Sequence, residues 1–73
     1  MKKVNIMMKL AQELEVKDNL FMGGQVAPIV HIAPKKIDGR VLEVEVEYAL
    51  FPIGIQKRTF DVLSQVLVVQ LEG

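Results

Sequence analysis

The chain has 73 residues, no cysteine and a formal net charge of zero. The lack of cysteine excludes a disulfide framework and a thiolate metal site, and the balanced charge disfavours a general polyanion binder. Hydrophobic residues make up 51% of the sequence, slightly above the usual range, in a chain whose small size leaves proportionally more surface to cover. We therefore expect some apolar side chains to lie outside the core of a monomer.

Residues 4–16 are predicted to form an amphipathic helix that ends at residues 17–19. The apolar residues with helical spacing are Val4, Met7, Met8, Ala11 and Leu14. Lys9 and Glu13 belong to the polar side, and we interpret the two methionines as flexible core filling. A short strand remains open as an alternative, because a second set of apolar residues alternates: Val4, Ile6, Met8 and Leu10.

Residues 25–33 are predicted to form the first strand. Gly23 and Gly24 form a turn between helix and sheet, because the pair lacks the glycine spacing and Lys-Ser/Thr ending of a phosphate-binding loop. Pro28 has no amide donor, which favours an edge strand or a start after it. His31 is interpreted as structural or surface-exposed, since the sequence has no second histidine or cysteine for a metal site and no nearby serine to activate.

Residues 40–51 are predicted to form the central strand, because apolar and acidic residues alternate strictly. The apolar face carries Leu42, Val44, Val46, Tyr48 and Leu50, and the other face carries Glu43, Glu45 and Glu47. A connection over residues 34–39, with Asp38 and Gly39 as its turn signal, makes this strand antiparallel to the first. The glutamates could hold a hard cation or act as an acid/base pair, but nothing supplies a pocket or further ligands, so we favour a solvated polar face.

Residues 55–62 are predicted to return along the central strand after a five-residue loop. The favoured register pairs Tyr48 with Arg58 and Val46 with Phe60, which keeps apolar residues on one face and lays the arginine over the tyrosine. A turn over residues 61–65 then leads to a strand over residues 66–71. A helix remains open for this last segment, because several apolar residues also fit a helical stripe: Phe60, Leu63, Leu67 and Leu71.

These elements predict an α+β fold. One N-terminal amphipathic helix packs on a small, mainly antiparallel sheet of three to four strands, in a single domain over residues 1–73. Asn5 and Lys9 interrupt the apolar residues that a signal peptide would need, and no apolar stretch is long enough for a membrane span. We therefore expect a complete, cytoplasmic protein that does not enter a membrane.

No constellation of residues commits the chain to a reaction, so we expect no enzymatic activity, no cofactor and no bound metal. The leading hypothesis is a small interaction or assembly module that acts as a homodimer. Its candidate contact surface is a β-rich run that would be a template for pairing if it formed a sheet edge: Val66, Val68 and Val69. The alternative hypothesis is a nucleic-acid-binding protein with a basic sheet or loop surface, formed by Lys35, Lys36, Arg40, Lys57 and Arg58.

Overall fold

The computed structural model describes the backbone of residues 3–72 and the side-chain surroundings of residues 5–70. Residues 3–72 form six strands and one short 3-10 turn: β1 (Lys3–Leu10), the turn (Ala11–Glu13), β2 (Asn19–Met22), β3 (Gln25–Ile37), β4 (Arg40–Leu50), β5 (Gly54–Asp61) and β6 (Gln65–Glu72). The strands form an antiparallel sheet in the order β1-β6-β2-β3-β4-β5. None of these residues forms an α-helix, so the predicted α+β fold with three to four strands is wrong.

Of residues 4–16, which were predicted as an N-terminal helix, residues 11–13 form the 3-10 turn and residues 4–10 belong to the edge strand β1. It pairs with β6 along its whole length, from Lys3 opposite Glu72 to Leu10 opposite Gln65. Both helical and strand spacing were present in the segment, and the long-range pairing with β6 decides between them. The described part of the chain has no helix that is long and apolar enough to cross a membrane.

The predicted terminal strand is confirmed, but its position in the sheet is internal. β6 lies between β1 and β2 rather than at an edge. The outermost strands of the sheet are β1 and β5. The predicted alternative of a terminal helix is therefore excluded, and the last strand becomes part of the interior of the sheet.

Two tight turns connect β2 to β3 and β3 to β4. Gly23 and Gly24 lie between the paired residues Met22 and Gln25, while Asp38 and Gly39 form the second turn. All four turn residues have positive φ, between 53° and 81°, as a type I′ hairpin turn requires. The Asp-Gly turn is confirmed, whereas the glycine pair connects two strands and not a helix to a strand.

Strand β3 joins two halves of the sheet. Its first part, up to Pro28, pairs with β2, and the part from Ile29 onward pairs with β4, with a bulge between Ile29 and His31. A bulge bends the strand that carries the additional residue. Side chains of both halves meet in one core cluster. The first half contributes Leu20, Ala27, Val66 and Val68, and the second contributes Ile29, Val44, Val46 and Tyr48. Ala11 and Leu14, from the segment after β1, complete the cluster.

The hairpin of β4 and β5 has a register two residues away from the predicted one. Val46 lies opposite Arg58, and Tyr48 lies opposite Gln56. A two-residue shift leaves every side chain on the same face of the strand, and Val46 and Tyr48 are buried as the alternation predicted. The shift moves the arginine, which now lies over Phe60 rather than over the tyrosine.

We predict that Val68 is a dry core position. Its strand neighbours are Met7 and Leu20, and its side chain is fully buried. Val68→Thr keeps the size but places a hydroxyl among apolar groups, so the free energy of unfolding should fall by about 1–3 kcal/mol. Chemical denaturation at a fixed protein concentration measures the change.

The matched control is Thr59→Val, the reverse exchange at an exposed position of β5. It should change the free energy of unfolding by less than about 0.5 kcal/mol. Equal effects of the two exchanges would contradict the assignment of Val68 to the core.

Candidate interaction surface

The outward side of the sheet has an apolar half on β1, β6, β2 and the beginning of β3. Because side chains alternate along a strand, the residues next to core positions such as Leu20 and Val68 point outward. We call this set the outer apolar face, and its members are Ile6, Met8, Phe21, Val26, Leu67 and Val69. None of the described residues that point outward in this half is charged.

The outer apolar face is continuous across strands. Ile6 lies opposite Val69, and Met8 lies opposite Leu67. Ile6 is 55% exposed, Met8 53% and Leu67 40%. Contiguous exposed apolar side chains of this kind mark surfaces that other molecules cover. Met8, which the sequence suggested as core filling, is therefore a surface residue, while Met7 packs against the core.

The predicted contact residues Val66, Val68 and Val69 are all buried within a single copy of the chain. β6 has a neighbouring strand on each side, so the condition that this run forms a sheet edge is not met. Val66 and Val68 belong to the core cluster, whereas Val69 lies outside it, at the centre of the outer apolar face. The accessible residues next to Val69 are the ones that sequence reasoning missed, although the alternation of Ile6 and Met8 was a usable signal.

The two edge strands differ in their protection against pairing. β5 carries Lys57 and Arg58 in its middle, and charged residues on an edge discourage the addition of another strand. β1 has its charged residues only near its two ends, at positions 3 and 9, and its ladder with β6 is regular over eight residues. The less protected edge therefore adjoins the outer apolar face.

The outward side of β3, β4 and β5 carries charges that compensate each other. Lys35 Nζ lies 3.1 Å from a carboxylate oxygen of Glu45, and His31 Nδ1 lies 3.3 Å from one of Glu47. The hydrogen bond and the charge of Lys35 hold the pKa of Glu45 below its usual range. Among the described residues, no group of three or more side chains could hold a metal ion. Glu45, Glu47 and the basic residues paired with them thus form a charged surface, which we call the charge ladder.

The five predicted basic residues do not form one continuous surface. Lys35 and Lys57 lie on opposite sides of the glutamate row, and each is within 4 Å of a glutamate, at 3.1 Å and 3.8 Å. Arg58 points to the other side of the sheet, with its guanidinium 5.3 Å from the ring centre of Phe60. The remaining two residues, Lys36 and Arg40, flank the second hairpin turn.

Asp18 is a buried carboxylate that the sequence did not single out, since it stands in a short polar segment that resembled a helix end. It accepts hydrogen bonds from Lys9 Nζ at 3.0 and 3.1 Å, from Gln70 Nε2 at 3.1 Å and from the Glu15 amide at 3.0 Å. Burial alone would raise the pKa of Asp18, but these hydrogen bonds and the charge of Lys9 hold it below its usual range. Lys9 lies on β1 and Gln70 lies on β6, so Asp18 connects these two strands and has a structural role.

Comparisons of the chain with protein-family models, with curated proteins and with solved structures found no match. The function must therefore be inferred from the surface of the chain itself. The feature of that surface with the clearest physical meaning is the outer apolar face, which contrasts with the charge ladder beside it.

We predict that Asp18→Asn lowers the free energy of unfolding at neutral pH by roughly 3 kcal/mol, because it leaves Lys9 without its counter-charge in a partly buried site. The pKa of Asp18 is lower in the folded protein than its unfolded value of about 3.9. The advantage of the wild type should therefore be complete above about pH 5 and decline as the pH falls through the folded pKa.

Urea denaturation of both proteins across the acidic range measures this difference. The exposed turn residue Asp38 offers a matched control, because asparagine also tolerates its positive φ, and Asp38→Asn should change stability little. A difference between wild type and Asp18→Asn that does not depend on pH would contradict the assigned role of the carboxylate.

Proposed function

We propose that the protein is a small, non-enzymatic interaction module that forms a homodimer through its outer apolar face. The observation that carries the proposal is the adjacency of Ile6, Met8 and Leu67, which are exposed together on a sheet face where no described outward residue is charged. Covering such a face removes apolar area from water, which is the main favourable term in most protein association.

The surface of a single copy supports this proposal. The chain exposes 5107 Å², whereas a compact monomer of 8.2 kDa exposes roughly 4,500 Å². Its radius of gyration is 12.6 Å, compared with about 11 Å for a compact domain of this length. A single copy thus buries less of its surface than is usual for its size, and contact with a second copy would offset this deficit.

Packing face to face explains the apolar residues better than pairing edge to edge. Two β1 strands paired about a twofold axis would satisfy their free backbone groups but leave Ile6, Met8 and Leu67 in water. Stacking two outer apolar faces, at the usual distance of about 10 Å between sheets, buries all three in both copies. A specific interface covers about 800 Å² per partner, so the contact must extend beyond these residues onto neighbouring strands.

A cytoplasmic location is part of the same proposal, because a fold without cysteine draws no stability from an oxidising compartment. The nucleic-acid alternative has less support. Lys35 and Lys57 lie within 4 Å of glutamates, and Arg58 lies on the other side of the sheet, so a run of phosphates would not meet a continuous basic surface.

We predict that Ile6→Lys converts the dimer into a folded monomer. Because Ile6 is 55% exposed in a single copy, lysine fits the monomer but would place a charge inside the dimer contact. In sedimentation the wild type should run as a dimer, and its melting temperature should rise with protein concentration. The variant should run as a monomer whose melting temperature does not depend on concentration.

Ile55→Lys provides the matched control, because Ile55 is 57% exposed and lies on β5, the opposite edge strand. This variant should remain a dimer. If Ile55→Lys separates the copies and Ile6→Lys does not, the contact lies at the other end of the sheet. A wild type that is monomeric at high micromolar concentration, with a concentration-independent melting temperature, would refute the homodimer.

A further inference from the structure

A cavity of about 290 Å³ opens where β2 and β6 separate. The ladder between these strands comprises only two residue pairs, Asn19 with Val69 and Leu20 with Val68. Beyond them β6 continues along β1, and β2 continues along β3 to Met22. The strands therefore leave a space between them, and β5 contributes further wall residues to it.

Seven of the nine residues that line the cavity have apolar side chains, and the other two have polar side chains. The residues that matter for recognition are Leu20, Met22, Phe60 and Val66 on the apolar side and Arg58 and Gln65 on the polar side. Concave apolar sites with a few polar groups are the usual form of small-molecule sites. The cavity volume corresponds to roughly ten water molecules at about 30 Å³ each, which limits the occupant to a small molecule.

Arg58 gives the cavity a positive charge. It lies on the same side of β5 as Phe60, opposite the core residue Val46, and its guanidinium lies 5.3 Å from the Phe60 ring centre. None of the ion pairs among the described residues includes Arg58, whereas its neighbour Lys57 contacts Glu47. A guanidinium can donate two parallel hydrogen bonds to a carboxylate, and this geometry makes arginine a preferred carboxylate-binding residue.

We propose that this cavity binds a small apolar carboxylate. The apolar part of the molecule lies against Leu20, Met22 and Val66, and its carboxylate accepts hydrogen bonds from the Arg58 guanidinium, with the Gln65 amide as a further donor. The volume suits a molecule of about ten non-hydrogen atoms. Met8, Phe21 and Leu67 line the cavity and also belong to the outer apolar face. Arg58, Phe60 and Val66 line the cavity alone, so shifts at these three residues distinguish binding in the cavity from contact between two copies.

The test is a titration of isotopically labelled protein with octanoate, followed by amide chemical shifts. Octan-1-ol, which has the same chain without the charge, is titrated in parallel. We expect saturable shifts at Leu20, Phe60 and Val66 with octanoate and weaker binding of the alcohol. Arg58→Gln should weaken octanoate binding about tenfold or more, since a hydrogen bond to a charged group is lost.

Lys57→Gln is the matched control, because it removes the same charge from the next residue of the same strand but on the opposite face. Its affinity for octanoate should stay within twofold of the wild type. Arg58→Lys keeps the charge but loses the paired donors, so its affinity should fall severalfold, and this variant decides the question if Arg58→Gln does not unfold cooperatively.

Three results would overturn the proposal. Equal binding of octanoate and octan-1-ol would show that the charge is not recognised. An equal loss of affinity in Lys57→Gln and Arg58→Gln would indicate general electrostatic attraction, and would assign Arg58 only the role of an inward charge that blocks strand addition to β5. Shifts confined to Ile6 and Val69, which do not line the cavity, would indicate adsorption to the outer apolar face.

Discussion

The position of β6 between β1 and β2 is the constraint on which the rest of the sheet depends. β6 pairs with the first strand along its whole length and with β2 through two residue pairs, so it connects opposite ends of the chain. Asp18 reinforces this junction, because its carboxylate binds Lys9 of β1 and Gln70 of β6 while its carbonyl accepts a hydrogen bond from the Ile29 amide of β3. One buried residue thereby ties three strands together.

The same arrangement produces the outer apolar face and the cavity. In the alternating pattern of β6, Val66 and Val68 fill the core, and Leu67 and Val69 necessarily face outward beside β1. A 73-residue chain buries only a small apolar core, so apolar side chains left exposed on half of its sheet do not stabilise the monomer. An exposed apolar face of this kind is better explained by contact with another molecule. The cavity follows from the short ladder between β2 and β6, which leaves space beside Val66.

The two halves of the sheet differ in the residues on their outward faces. On β4 the outward residues include Glu43, Glu45 and Glu47, and basic residues of the flanking strands compensate the last two. On β1 and β6 the described outward residues are uncharged, and all of them except Gln65 are apolar. The structure therefore presents a polar surface and an apolar surface side by side, and Arg58 is the one cation among the residues that line the cavity next to the apolar surface.

The sequence by itself determined the local features of this protein. Strict alternation in residues 40–51 assigned Val46 and Tyr48 to the core, the Asp38 and Gly39 pair required a hairpin turn, and the β-branched run ending at Val69 made a strand. These features depend on backbone preferences and on a two-residue period, which neighbouring residues are sufficient to specify. The absence of cysteine likewise excluded disulfides without any knowledge of the fold.

Only the tertiary structure decided between helix and strand for residues 4–10, because both periods were present and strand partners 55 to 67 residues further along the chain removed the ambiguity. It also decided that β6 is internal, that Asp18 is buried and that Arg58 reaches a cavity. Each of these properties depends on which distant segments pair, and residues such as Asp18 and Lys9 acquire their roles only when three strands converge on them. Local sequence patterns do not specify such neighbours, since strand pairing is a contact between segments remote in sequence.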